Sequence, residues 1–153
     1  MNWTFHEGEL EADDVRALLA QHVAEMNADS PPSACHVLAA DALVQPAIRF
    51  FTLREAGTLL GCGALKTLDP HHGEVKSMRT ADAALGRGVG TAILACLTAT
   101  ARASGMTRLS LETGNSPLFV AVNRLYQRDG FTCCGPFGGY RATPFTLFYT
   151  RDL

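Results

Sequence analysis

The chain has 153 residues, enough for one domain with its own core and too few for two ordinary ones. Hydrophobic residues make up 47% and charged residues 18%, which excludes disordered, coiled-coil and collagen-like chains. Thirteen basic residues against fifteen acidic ones give a net charge of −2, so the basic excess of a nucleic-acid binder is missing. No apolar run approaches the roughly 20 residues of a membrane helix, and Met1–Leu10 carries Glu7 and Glu9 where a secretory leader would be basic and then apolar. A cytoplasmic domain spanning residues 1–153 is expected, with no nucleic-acid or membrane partner; a homodimer stays open.

In chain order, Trp3–Glu7 reads as a first strand. Val15, Leu18, Leu19, Val23 and Met26 recur at helical intervals, so Asp13–Asn27 reads as an amphipathic helix, with Asp13 and Asp14 suited to its positive end. Ser30-Pro31-Pro32-Ser33 breaks it, and a short turn or helix comes next over Leu38–Val44. Ile48–Arg54 and Thr58–Leu68 read as a hairpin joined by Glu55-Ala56-Gly57, and Glu74–Thr80 as a fourth strand after the turn Asp69–Gly73. Val89–Ser104 is the clearest helix, with Val89, Ile93, Leu97 and Ala101 spaced by four and Gly105 placed to end it. Arg108–Glu112 is a short strand. Ser116-Pro117 reads as an N-cap and first helical position, opening a helix that runs to Arg128 and stops at Gly130. Phe131–Cys134 and Phe145–Thr150 close the sheet around the Gly/Pro-rich stretch Gly135–Pro144. The pattern is mixed α/β.

Five cysteines form no C-x-x-C pair, and bridging the adjacent Cys133 and Cys134 would strain a small ring, so free thiols are expected. His71-His72 lacks a second ligand pair at zinc-like spacing, and no metal is expected.

Gly86-Arg87-Gly88-Val89-Gly90-Thr91 lies between a strand and the best helix. Glycines at alternate positions clear the backbone for a ligand, and the helix beyond offers free N–H groups and a positive dipole end for a phosphate. A plain flexible turn is the alternative. The spacing is G-x-G-x-G rather than G-x-G-x-x-G, and no lysine followed by Ser or Thr comes after the last glycine, so neither the dinucleotide fingerprint nor the P-loop fits.

Arg87-Gly88-Val89-Gly90, followed by Asn123-Arg124-Leu125-Tyr126 and Gly130-Phe131, resembles the coenzyme-A loop and the N-x-x-L-Y…G-F helix of GNAT-type N-acetyltransferases. The resemblance covers Gly73–Phe131. More loosely, Ser30-Pro31-Pro32, Gly61–Lys66, Ser110–Gly114 and Cys134–Phe137 resemble one small bacterial subgroup. It departs from the family pattern at Leu85, where Gln or Arg is usual; Arg87 is the nearest guanidinium for phosphate.

The resemblance implies a GNAT fold: a mixed, mostly antiparallel sheet with splayed central strands and about four flanking helices. It implies an acetyl-CoA-dependent acyltransferase working by direct attack of a small-molecule or amino-acid-like amine, with protein acetylation or a non-catalytic acyl-CoA-binding module as alternatives. Leu85, Gly86, Arg87, Gly88, Val89, Gly90 and Thr91 would hold the diphosphate. Met78, Arg79 and Thr80 would hold the pantetheine arm, largely through main chain, as in strand addition. Asn123 and Tyr126 would flank the thiol, with Tyr126 as its acid, and Arg128 would reach the terminal phosphate. Glu74 is the first choice for the base that deprotonates the amine, because it lies four residues before Met78, where protein-acetylating members of the resembled family place a glutamate; alternation would also put Glu74, Lys76, Met78 and Thr80 on one side of the strand. Glu112 is the second choice, and a water the third. His22, Met26, Ser30, Pro31, His36 and Phe137 are the acceptor-pocket candidates, the histidines also as proton shuttles.

Overall fold

The computed structural model describes residues 2–153; Met1, where the leader reading begins, lies outside them. Seven strands form one sheet: β1 (Trp3–Glu7), β2 (Ile48–Glu55), β3 (Thr58–Asp69), β4 (His72–Thr80), β5 (Arg108–Gly114), β6 (Thr132–Cys134) and β7 (Thr146–Asp152). Their spatial order is β1-β2-β3-β4-β5-β7-β6, and every neighbouring pair is antiparallel except β4 with β5. Three α-helices flank the sheet: α1 (Asp13–Asp29), α2 (Val89–Ala103) and α3 (Val120–Arg128).

α2 covers one face because its apolar stripe repeats every three to four residues. Val89, Ile93, Leu94, Leu97 and Ala101 are all buried, against Leu53, Leu65, Val75, Leu109 and Leu111 of the sheet. Each large aliphatic side chain buried in this way contributes about 1.5–3 kcal/mol. α1 covers the other face with Val15, Leu18 and Leu19, packed on Phe50, Cys62 and Ala64. It has no side-chain N-cap; Asp14 instead accepts from the Val15 N–H at 2.8 Å and pairs with Arg54. α1 runs two residues past Asn27 to Asp29.

The short turn read near Leu38–Val44 is a 3-10 turn, Ala40–Leu43, so the α-helices flanking the sheet among the described residues number three where about four were expected. One element differs from the sequence reading. Pro117 opens a 3-10 turn, Pro117–Phe119, before α3 begins at Val120, and Ser116 makes no capping bond: its hydroxyl donates to Asp29 Oδ2 instead. All five cysteines are free, and among the described residues no helix is long and apolar enough to cross a membrane.

Both edges of β4 are irregular. Its parallel pairing with β5 covers only His72–Arg108, Gly73–Leu109 and Glu74–Ser110, after which the strands part. From Val75 to Thr80 the edge of β4 facing β5 has no strand to pair with. On its other edge the register with β3 slips between Lys76 and Arg79, with Ser77 at φ +54°, a left-handed conformation that L-residues adopt at a cost. This bulge reverses side-chain parity. Val75 and Met78 both pack with the α2 cluster, while Arg79 reaches Glu25 on α1.

Candidate active site

The parting strands enclose a cleft of about 700 Å³. One wall is β4 from Val75 to Thr80 and the other is Glu112–Gly114 of β5; the α2 N-terminus, α3, and the α1–Leu38 segment complete it. Gly86 and Gly88 sit at φ +77° and +84°, where an added Cβ would be strained although nothing crowds it. Gly90 is small for a different reason: a Cβ there would lie 2.9 Å from Leu125 of α3. The first bond of the α2 ladder runs from the Ala92 N–H to the Gly88 carbonyl. The N–H groups of Val89, Gly90 and Thr91 therefore start the helix unpaired, at its positive end, beside the exposed 85–88 turn. Amides so arranged could hold a phosphate group.

Of the residues expected to hold a coenzyme-A diphosphate, Leu85, Gly86, Gly88, Val89, Gly90 and Thr91 line the cleft, as do Met78, Arg79, Thr80 and Arg128. Arg87 does not. Its guanidinium lies 2.9 Å from both Glu55 carboxylate oxygens and stacks over Trp3 at 5.8 Å, so its side chain serves the β1–β2 end of the sheet and not a phosphate. Arg87→Ala is accordingly expected to leave the acetyl-CoA KM within about twofold of the parent, as surface ion pairs of this kind are worth little; steady-state kinetics at fixed acceptor check it.

Asn123 also has a different job. Its amide donates to the Gly114 carbonyl at 2.9 Å and its Oδ1 accepts from Thr113 Oγ1 at 2.8 Å, which ties α3 to the end of β5. That tie fixes where α3 puts its next turn. Tyr126 there is buried, lines the cleft and stacks edge-on against Phe131 at 5.9 Å. Burial alone raises its pKa, so the phenol stays protonated at neutral pH.

The two candidate bases part company. Glu112 lines the cleft with its side chain 12% exposed, and His36 Nδ1 lies 2.6 Å from one carboxylate oxygen and 2.8 Å from the other. Burial pushes its pKa up, against the opposing pull of His36 and Lys76. Glu74 does not line the cleft. Its Oε2 is already taken by Lys76 Nζ at 3.0 Å and the Tyr140 hydroxyl at 2.5 Å. Nor does alternation align Glu74 with Met78, because the Ser77 bulge intervenes.

His22, Met26, Ser30 and His36 of the acceptor candidates line the cleft; Pro31 and Phe137 do not. Phe137 packs edge-on against Tyr140 and Phe148 and near His72, on the sheet face. His22 is pushed down to about 4 by burial and by Arg79, so at neutral pH it is uncharged and no proton shuttle. Its Nδ1 has no hydrogen-bond partner. Sequence reading missed Tyr140 as a hydrogen-bonding residue, and Glu25 and Lys76 as cleft residues. A tyrosine after Gly138-Gly139 gave no spacing signal, since its partners lie 64 and 66 residues away.

Residues 15–131 match the acetyltransferase (GNAT) family. The chain belongs to that family. It is 43% identical over 139 residues to an uncharacterized N-acetyltransferase, YedL, of Escherichia coli (strain K12), covering 91% of this chain and 87% of the relative. It is 38% identical over 125 residues to the IAA acetyltransferase of Azospirillum brasilense, covering 80% of each. A GNAT acetyltransferase from Elizabethkingia anophelis, solved with acetyl-CoA bound, shares the fold at TM-score 0.65 and 18% identity, covering 99% of both chains. This GNAT chain is thus an acyltransferase, of a family that uses acetyl-CoA. The Gly86–Thr91 cradle and the unpaired edge of β4 are polar, open and adjoining, and so fit that cosubstrate.

Proposed function

We propose that the chain is an acetyl-CoA-dependent N-acetyltransferase that acetylates the amine of a small molecule by direct attack, with both substrates bound together. The observation that carries this is the single cleft joining the amide cradle at the α2 N-terminus to the Tyr126 phenol and the Glu112 carboxylate.

Acetyl-CoA supplies an activated acyl group. The N–H groups from Gly86 to Thr91 bind its diphosphate, with Arg128 nearby: Leu125 packs at Gly90, and Arg128 lies one turn further along the same helix face. The unpaired edge of β4 at Met78–Thr80 pairs with pantetheine amides. This aims the thioester at the wedge, where Tyr126 and Glu112 face it.

A free amine arrives as an ammonium, with a pKa of about 10.4 if lysine-like. Glu112 takes a proton from it, and the raised pKa makes this carboxylate a stronger base than an exposed one. The nitrogen then attacks the acetyl carbonyl; the C–N bond forms as the C–S bond breaks. Tyr126 gives its proton to the departing sulfur. The ammonium loses two protons and the sulfur gains one, so one proton is released per turnover.

Thermal shift with acetyl-CoA, coenzyme A and ATP, followed by thiol release with an amine panel, tests the proposal. Acetyl-CoA at 100 times its Kd should stabilise the protein by about 2.7 kcal/mol, with one proton released per thiol. Stronger stabilisation by ATP, or no shift with any thioester, overturns it.

A further inference from the structure

We infer that the acceptor is a primary amine without a carboxylate, an alkyl- or arylalkylammonium and not an amino acid. This rests on the function proposed above and narrows its substrate class.

Charge at the acceptor end of the cleft selects between the two. Three cationic side chains line the cleft among the described residues: Lys76, Arg79 and Arg128. Arg128 stands on α3 beside the Gly90 cradle, at the other arm. Lys76 is 9% exposed and already held by Glu74 at 3.0 Å and by the Tyr140 hydroxyl at 2.7 Å. Arg79 is 14% exposed and paired with Glu25 at 2.5 Å and Asp82 at 3.7 Å. Both cations at this end are therefore matched by carboxylates of the chain itself, and Glu112 adds a further negative charge facing the space.

An incoming ammonium meets the carboxylate of Glu112, which lines the cleft beside His36. An incoming carboxylate meets Glu112 with every nearby cation occupied. It would be desolvated without a partner, next to a like charge. The cleft lining also supplies apolar surface: Met26 on α1, and Phe145, which is 47% exposed. They suit a hydrocarbon tail on the amine.

Matched pairs that differ only in the carboxylate decide the matter: phenethylamine against phenylalanine, tyramine against tyrosine, and isoamylamine against leucine. Thiol release from acetyl-CoA is measured on the full chain, with the N-acetyl product verified by mass spectrometry. The amine of each pair is expected to exceed its amino acid at least tenfold in kcat/KM. Phenylalanine amide, which keeps the size of phenylalanine but not its negative charge, should recover most of that difference. Amino acids equal to or faster than their amines would overturn the inference, as would an amide no better than the acid. If acetyl-CoA binds but neither member of any pair is acetylated, the inference falls while the acetyl-CoA reading stands. If acetyl-CoA does not bind, the proposed function itself falls.

Discussion

Tyr126→Phe is expected to lower kcat by about 10²–10⁴-fold, the usual worth of a positioned proton donor, while the acetyl-CoA KM stays within about twofold because the loop proposed to bind it is untouched. The geometry makes this substitution clean. The ring is buried against Phe131, and phenylalanine keeps that packing. Burial is the one cause of the raised phenol pKa, with no hydrogen bond contributing, so removing the hydroxyl strands no protein partner. The melting temperature should therefore hold. Rapid-quench measurement of the acetyl-transfer step separates chemistry from product release. An unchanged transfer rate with a raised acetyl-CoA KM would make Tyr126 a binding residue and remove the acid from the mechanism.

How much of this was legible in the chain depends on whether local or distant contacts decide it. α2 could be read because its apolar spacing and the flanking glycines are local properties, and the loop before it because Gly86 and Gly88 must take φ values that other residues resist. The departure of β4 from β5 could not be derived from the residues themselves, since nothing at Val75 or Leu111 says that pairing stops at Glu74 and Ser110. The resemblance to a known family supplied it. Parity along β4 failed for a physical reason: a single left-handed residue, Ser77, resets the alternation, and serine carries no strong signal for it. Choosing between Glu74 and Glu112 required partners far along the chain. His36 and Glu112 are 76 residues apart, and Glu74 and Tyr140 are 66 apart. Arg87 misled for the opposite reason. It sits within the loop, but Glu55, 32 residues earlier, claims its charge.

Glu112→Gln should cost about as much activity as the loss of Tyr126, roughly 10²–10⁴-fold in kcat/KM for the amine at neutral pH, yet it should not weaken the fold. The raised pKa sets the sign. A carboxyl whose pKa is higher in the folded chain than in the unfolded one binds its proton more readily when folded. Its contribution to stability is fully present below the unfolded value and is lost as pH rises through the folded value. Glutamine copies the protonated form, so Glu112→Gln should match the parent in melting temperature in acid and equal or exceed it at pH 7. In activity, the acid limb of the parent's pH profile should lie above the ordinary carboxylate range and disappear in the variant. Glu74→Gln should behave in the reverse way. It would leave the buried Lys76 ammonium without its carboxylate, and breaking such a pair costs about 3–5 kcal/mol. Its melting temperature should fall sharply, while folded protein assayed at low temperature keeps the acid limb. If the limb instead vanishes with Glu74 and survives in Glu112→Gln, the base is Glu74, and the open space in front of Glu112 is there for some purpose other than proton removal.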